Sequence, residues 1–251
     1  MNKEELLNKI DYLYNEINNR YNLRKEKNSS NKDVGNRMLV CIAGPPAAGK
    51  STISVRLCEK LQSSGLKTVV VPMDGYHLDN CILKERSLLH RKGSPPTFDV
   101  IGFKTILDRL SKQQQQQPQQ QSNNNNNNNN NSDDDDDDLE YNEIIIPTFD
   151  RELDISRAGA AVVDRSIEIL LIEGNYLLLD VSPWNRLHRF FDFTIFIDAD
   201  RSTLEQRLIQ RWLDHQHDHE SAVKRAKSND IPNAIYTLDH SIKPDIKIIN
   251  N

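Results

Sequence analysis

Seven residues, Met38 to Gly44 (MLVCIAG), form an apolar run that leads straight into Pro45-Pro46-Ala47-Ala48-Gly49-Lys50-Ser51-Thr52. An unbroken apolar run rich in Val and Ile, closed by Gly-Pro-Pro, reads as a strand buried on both faces. Ser51 to Leu61 then carries Ile53, Val55, Leu57 and Leu61, a helical pattern stopped at Gly65. Between the two, Gly44, Gly49, Lys50 and Ser51 satisfy the pattern G-x-x-x-x-G-K-[ST]. Glycines let a loop wrap closely round a phosphate, and successive backbone N–H groups and the following helix N-terminus face the anion. Residues 44–52 are therefore the expected cradle for ATP: Lys50 reaches the β and γ phosphates and Ser51 ligates Mg²⁺. A strand, a phosphate loop and a helix in that order confine the chain to a sheet whose strands are joined by helices.

The rest of the chain keeps that alternation. Thr68 to Asp74 (TVVVPMD) is a second predicted strand, Glu168 to Glu173 a third, Phe193 to Asp198 a fourth and Ile246 to Ile249 a fifth. Helical patterns lie at residues 100–110 and 201–211, and a short apolar run at 144–146. Strands that are apolar throughout and separated by helices imply an α/β fold, a doubly wound parallel sheet with helices on both faces. Ligands are then expected at the carboxyl ends of the strands. Ahead of this domain, Leu6, Ile10, Leu13, Ile17 and Tyr21 predict an amphipathic helix over residues 3 to about 22, packed on the main domain. A polar stretch, 25–36, links it to the domain at 37–251.

Composition matters at one place. Gln113 to Asp138 contains eight Gln, nine Asn, six Asp, two Ser and Pro118, and no side chain that could build a core. Loop-closure entropy rises only by about 0.6 kcal/mol per doubling of length, so a solvated, disordered insert of this kind is tolerated by its host domain. Its six aspartates also account for the excess of 37 acidic over 32 basic residues. The remainder is near neutral, without the basic stripe of a nucleic-acid binder. No apolar stretch approaches the roughly 18 residues of a membrane span. Glu4, Glu5, Asp11 and Glu16 are unlike a transit peptide, so a cytoplasmic protein with no membrane partner is expected. Cys41, Cys58 and Cys81 are scattered and odd in number, indicating neither a disulfide framework nor a zinc cluster.

Two strand ends deliver carboxylates beside the phosphate loop. Asp74, followed by Gly75, Tyr76 and His77, is placed to take the proton from a hydroxyl attacking a γ-phosphate, or to hold a water on Mg²⁺. Glu173-Gly174 offers a second acid for Mg²⁺ or its water shell. Beyond the fourth strand, Arg207 and Arg211 are four apart on one helix face, a geometry that can clamp a transferring phosphoryl group from a closing lid. His215, His217 and His219 follow; the i, i+4 spacing of His215 and His219 could make a metal pair, but no third ligand or HExxH context accompanies it.

These motifs, GPPAAGKST, PMDGYHLD, RKGSPPTFD, PTFDRELDISR, LIEGNYLLL and the Arg-rich helix around RLIQRWLDH, resemble in order those of the uridine kinase, phosphoribulokinase and pantothenate kinase group of P-loop small-molecule kinases. The resemblance covers about 210 residues. It implies a P-loop NTPase fold with an Arg-rich lid, Asp74 as catalytic base and substrate contact, and Arg207 and Arg211 as lid arginines. Acceptor-side contacts would come from Asp74, Tyr76, His77, Arg91, Asp99, Phe149, Asp150 and Arg157. Uridine kinases carry Tyr-Asp-Phe followed by a histidine that contacts the pyrimidine; this chain has Phe149-Asp150-Arg151 and no histidine there.

The expected function is transfer of the ATP γ-phosphate to a hydroxyl of a small molecule. Uridine or cytidine is the first choice of acceptor, and a fructose-like sugar or a pantothenate-like alcohol the alternative. A regulatory GTPase is the rival of another class. It requires an N-K-x-D guanine motif after a later strand, and the chain has none; Asn31-Lys32-Asp33 is incomplete and precedes the phosphate loop. A third possibility is an inactive scaffold that displays the Gln/Asn/Asp tract.

Overall fold

The structure, a computed structural model, describes residues 3–29, 35–113 and 143–251. The expected insert lies outside the described residues except for Gln113. The Gln113 side chain is buried: its carbonyl accepts from Arg37 and its amide donates to the Val163 carbonyl at 3.2 Å.

In chain order the elements are α1 (Lys3–Asn28), β1 (Met38–Ala43), α2 (Lys50–Ser63), β2 (Thr68–Pro72), α3 (Asn80–Glu85) and α4 (Val100–Lys112). They continue with β3 (Glu143–Asp150), β4 (Ile155–Asp164), β5 (Ile169–Gly174), β6 (Phe193–Asp198), α5 (Arg201–Asp214), α6 (His219–Arg225), α7 (Ile231–His240) and β7 (Ile246–Ile249). Five strands form one sheet in the order β2-β5-β1-β6-β7, with every neighbouring pair parallel. β1 and β5 lie inside the sheet and all six residues of each are buried, which is why both read as continuous apolar runs.

The alternation along β1 divides the core into two. Val40 and Ile42 face one layer with Ile53, Leu57 and Leu61 of α2. Leu39, Cys41 and Ala43 face the other, with Phe103, Leu107 and Leu110 of α4. Helices thus cover both faces, as a doubly wound sheet requires. α1 lies on the α2 side and buries Ile10, Leu13, Ile17 and Tyr21, the residues that set its periodicity. It is tied down by Tyr21 Oη donating to Glu168 at 2.8 Å and by ion pairs Arg24–Asp192 and Lys60–Asp11.

Some elements differ from the sequence expectation. α1 runs on to Asn28 through residues assigned to the linker, and β2 ends at Pro72, so Asp74 sits in a 3-10 turn, Met73–Tyr76. Val55, counted in the apolar pattern of α2, is exposed, since it lies two residues from Ile53 and therefore on another helix face. The run at 144–146 belongs to a β3–β4 hairpin, an antiparallel pair with a register shift between Ile146 and Thr148 around Pro147. This hairpin packs closely against the Asp74 turn. A Cβ on Gly75 would lie 2.4 Å from the Pro147 carbonyl oxygen, so only glycine permits that approach.

Candidate active site

Because β1 and β5 are neighbours in register, with Ala43 opposite Gly174, the loop after β1 opens beside the acidic end of β5. The loop starts at Gly44 with φ 148°, where a Cβ would meet the Ile197 carbonyl oxygen at 2.1 Å. It ends at Gly49, the N-cap of α2. Within it the Lys50 ammonium donates to the Pro45 carbonyl at 2.9 Å and to Asn175 Oδ1 at 2.6 Å. Ser51 Oγ lies 3.3 Å from Glu173 Oε2. Burial pulls the Lys50 ammonium below its ordinary range, with Glu173 and then Asp74 pulling it back. Burial pushes the Glu173 carboxyl up, against the opposing charge of Lys50.

A cleft of about 700 Å³ opens on these groups. Pro46, Ala47, Gly49, Lys50, Ser51, Thr52, Glu173 and Asn175 form its phosphate side. Gly44, Pro45 and Ala48 do not face it, but they shape the loop: the Pro45 carbonyl accepts from Ala48 N as well as from Lys50. One hydroxyl and one carboxylate beside a phosphate cradle suit Mg²⁺, which takes one or two protein oxygens and completes its octahedron with phosphate and water. Among the described residues no cluster of three His, Cys, Asp or Glu competes as a metal site, the histidines at 215, 217 and 219 included.

The opposite side of the cleft, where an acceptor is expected, is built by the Asp74 turn and the hairpin. Asp74, His77, Lys92, Phe149, Arg151 and Asp154 line it. His77 Nδ1 donates to the Asp74 carbonyl at 2.7 Å, which leaves Nε2 as an acceptor. Its ring lies between Phe98 at 4.1 Å and Phe149 at 4.5 Å, and this burial holds the imidazole below its ordinary pKa, against the pull of Asp74. Lys92 donates to Asn80 and Asp154 and stands 5.4 Å from the Phe149 ring centre. Asp74 itself is paired with Arg151, Nη2 to Oδ2 at 2.9 Å.

Five sequence-chosen acceptor residues fall elsewhere. Tyr76 turns into the core against Phe103, with ring centres 4.8 Å apart. Asp99 caps α4 through Gly102 N at 2.8 Å. Asp150 accepts from Glu152 N and Leu153 N in the hairpin turn and pairs with the exposed Arg157. Arg91 donates to Asn229 Oδ1 at 3.2 Å and lies outside the cleft lining.

Arg207 and Arg211 of α5 both reach the cleft. Arg207 donates to the Asn250 carbonyl at 2.8 Å and, at 3.4 Å, to that of Ala47, tying the helix to the loop. Asn250 Nδ2 in turn donates to the Ala48 carbonyl at 2.7 Å. Trp212 also lines the cleft, its Nε1 donating to Asp230 at 2.6 Å and its ring under Arg225. A π-helical turn, Ala226–Asp230, leads into α7 and buries Asn229 and Asn233. Asn233 donates to Asn229 Oδ1, and Asn229 Nδ2 donates to the Lys92 carbonyl at 2.9 Å. These two asparagines fasten the π-helical turn and α7 to the loop at Arg91 and Lys92. Sequence reasoning left out Asn175, Arg151, Lys92, Arg225, Asp230 and Asn250. Asn175 alone carried a signal, its place just past the carboxyl end of a buried strand.

No family model matches the chain. A protein of Schizosaccharomyces pombe named putative uridine kinase is 27% identical over 221 residues, covering 84% of this chain and 82% of its own. Among solved structures, a putative fructose transport system kinase from Silicibacter sp. TM1040 is 39% identical with a TM-score of 0.69, covering 84% of this chain and 89% of the other. YFH7 of Saccharomyces cerevisiae shares the fold at a TM-score of 0.71 and 18% identity, over 98% of this chain and 99% of its own.

Proposed function

Since the chain belongs to the P-loop small-molecule kinases of the uridine kinase, phosphoribulokinase and pantothenate kinase group, we propose that it transfers the γ-phosphate of ATP to a hydroxyl of a small polyol of the sugar class. The observation that carries this reading is the meeting of three groups in one cleft: the Lys50–Ser51–Glu173 cluster, the carboxylate of Asp74, and Arg207 with Arg211. Asp74 takes the hydroxyl proton, Lys50 neutralises charge on the β and γ phosphates, and the two arginines stabilise the transferring group. Ser51 and Glu173 hold Mg²⁺, which supplies charge neutralisation between the phosphates when bound. Catalysis rests on positioning and electrostatics rather than a covalent intermediate.

The contacts of Phe149 favour a sugar over a nucleoside. His77 covers one side of its ring and Lys92 approaches it at 5.4 Å, which leaves the Phe149 ring less open to stacking on a pyrimidine. Short polar contacts from Asp74, His77 and Arg151 suit hydroxyl groups instead. The name of the 39%-identical relative points the same way. Uridine or cytidine is the second reading, supported by the name of the 27%-identical relative. A panel of hexoses, sugar acids, pentoses, nucleosides and pantothenate, each scored for acceptor-stimulated ADP release, tests it. The sugar reading expects stimulation by a member of the first three classes; stimulation by nucleosides alone replaces it with the second.

A further inference from the structure

Arg151 stands where the sequence departs from the uridine kinase pattern, and its surroundings hold it on Asp74. The hairpin tip that carries it is fixed by Asp150, whose Oδ1 accepts from the backbone of Glu152 and Leu153 at 3.1 and 3.0 Å. The hairpin is fixed to the Asp74 turn by the contact at Gly75, by Ser156 Oγ donating to the His77 carbonyl at 3.0 Å, and by the tilted ring contact of Phe149 with His77 at 4.5 Å. The guanidinium therefore arrives at the carboxylate from a braced position. Among the described residues, it is the group that hydrogen-bonds to that carboxylate. It lines the same cleft as Lys50 and Glu173, and its charge is felt at both.

A carboxylate poised to deprotonate a sugar hydroxyl can equally deprotonate water. In that hydrolysis the water oxygen bonds to the γ-phosphorus as the bond to the β–γ bridging oxygen breaks. ADP leaves with that electron pair and the water's proton passes to the carboxylate. From the 2.9 Å contact and the bracing of the hairpin, we infer that Arg151 is a latch on Asp74 that suppresses ATP hydrolysis until an acceptor hydroxyl displaces it. Arg151 is thus a positioning residue that sets the ratio of transfer to hydrolysis. The inference rests on the assignment of Asp74 as base under the proposed function.

ADP release without any acceptor provides the test, comparing the wild-type chain with Arg151→Gln, Arg151→Lys, Asp74→Asn and the double variant Asp74→Asn with Arg151→Gln. The pair is half-exposed, so its loss is expected to raise acceptor-free hydrolysis about twofold to fivefold in Arg151→Gln. Arg151→Lys, which keeps a cation, is expected to stay near the wild-type rate, and the double variant to lose the gain. A purely structural role would lower both rates together and would not be relieved by removing Asp74. Unchanged or lower hydrolysis in a folded Arg151→Gln that still binds ATP overturns the latch, and so does a gain that persists in the double variant. The Asp74→Asn single variant, assayed with the acceptor found by the panel, separately reports whether the base assignment itself fails.

Discussion

Asn229 offers a contact whose loss can be followed from geometry to a melting curve. Its side chain is 5% exposed. It accepts from Arg91 Nε and Asn233 Nδ2, each at 3.2 Å, and donates to the Lys92 carbonyl at 2.9 Å. Asn229→Ala removes these three bonds and a longer one, at 3.5 Å, to Asp230 Oδ1. Asn233, itself 4% exposed at the cleft wall, loses the acceptor of its amide, which costs about 1–3 kcal/mol. Arg91 and Lys92 reach water more easily, so their losses come to about 0.5–1 kcal/mol each. The sum, roughly 2–5 kcal/mol, corresponds to a fall in Tm of about 4–20 °C for a protein of this size. Because the bonds to Arg91 and to the Lys92 carbonyl join the π-helical turn to the loop beside the cleft, KM for the acceptor is expected to rise more than KM for ATP. Urea unfolding gives the stability change, and initial rates give the two constants. A shift below about 0.5 kcal/mol at unchanged m would refute the role assigned to this asparagine.

Three further outcomes follow from the site and the tract. Glu173 has a carboxyl pKa raised by burial, so its contribution to stability is present below the unfolded pKa and lost as pH rises through the folded one. At neutral pH its ionised form is therefore a cost, and Glu173→Gln is expected to raise the Tm of the nucleotide-free protein while lowering Mg²⁺-dependent turnover; a lower Tm would contradict this. Lys50→Met is expected to reduce ADP release by about 10²–10³ with the acceptor at saturation, as loss of one preorganised cation at the transferring group should; less than about tenfold would remove Lys50 from that task. Deleting Asn123 to Asp138, which contains no core-forming side chain, is expected to leave Tm and turnover within experimental error, whereas Gln113→Ala, which strips a buried partner from Arg37, lowers Tm; equal effects of the two changes would contradict the placement of Gln113 in the core.

The parallel sheet was legible because burial on both faces writes itself as unbroken apolar runs: β1, β6 and β7 have the bounds those runs suggest, to within a residue. The loop and Glu173 were legible for a related reason, since a motif at a strand end must lie at the carboxyl edge of the sheet. The β3–β4 hairpin was not. Of the ten residues of β4 only Val163 is fully buried, so the strand shows no apolar alternation, and Pro147 interrupts β3. Tyr76, Asp99, Asp150 and Arg157 were chosen by their place in a motif, but the same short-range chemistry that makes an aspartate a good ligand makes it a good cap, and Asp99 and Asp150 are spent on backbone N–H groups. Arg151, Asn229 and Asn250 act through partners more than fifty residues away. No local pattern can signal such contacts, because the fold alone brings them together.

The central claim is that Asp74 serves as the base for a hydroxyl attacking ATP in this cleft, and acceptor-stimulated ADP release by Asp74→Asn tests it most directly. A fall in kcat of about 10²–10⁴ is expected, the range for loss of a positioned general base, with ATP affinity changed by less than about threefold. Turnover at the wild-type rate in that variant would contradict it.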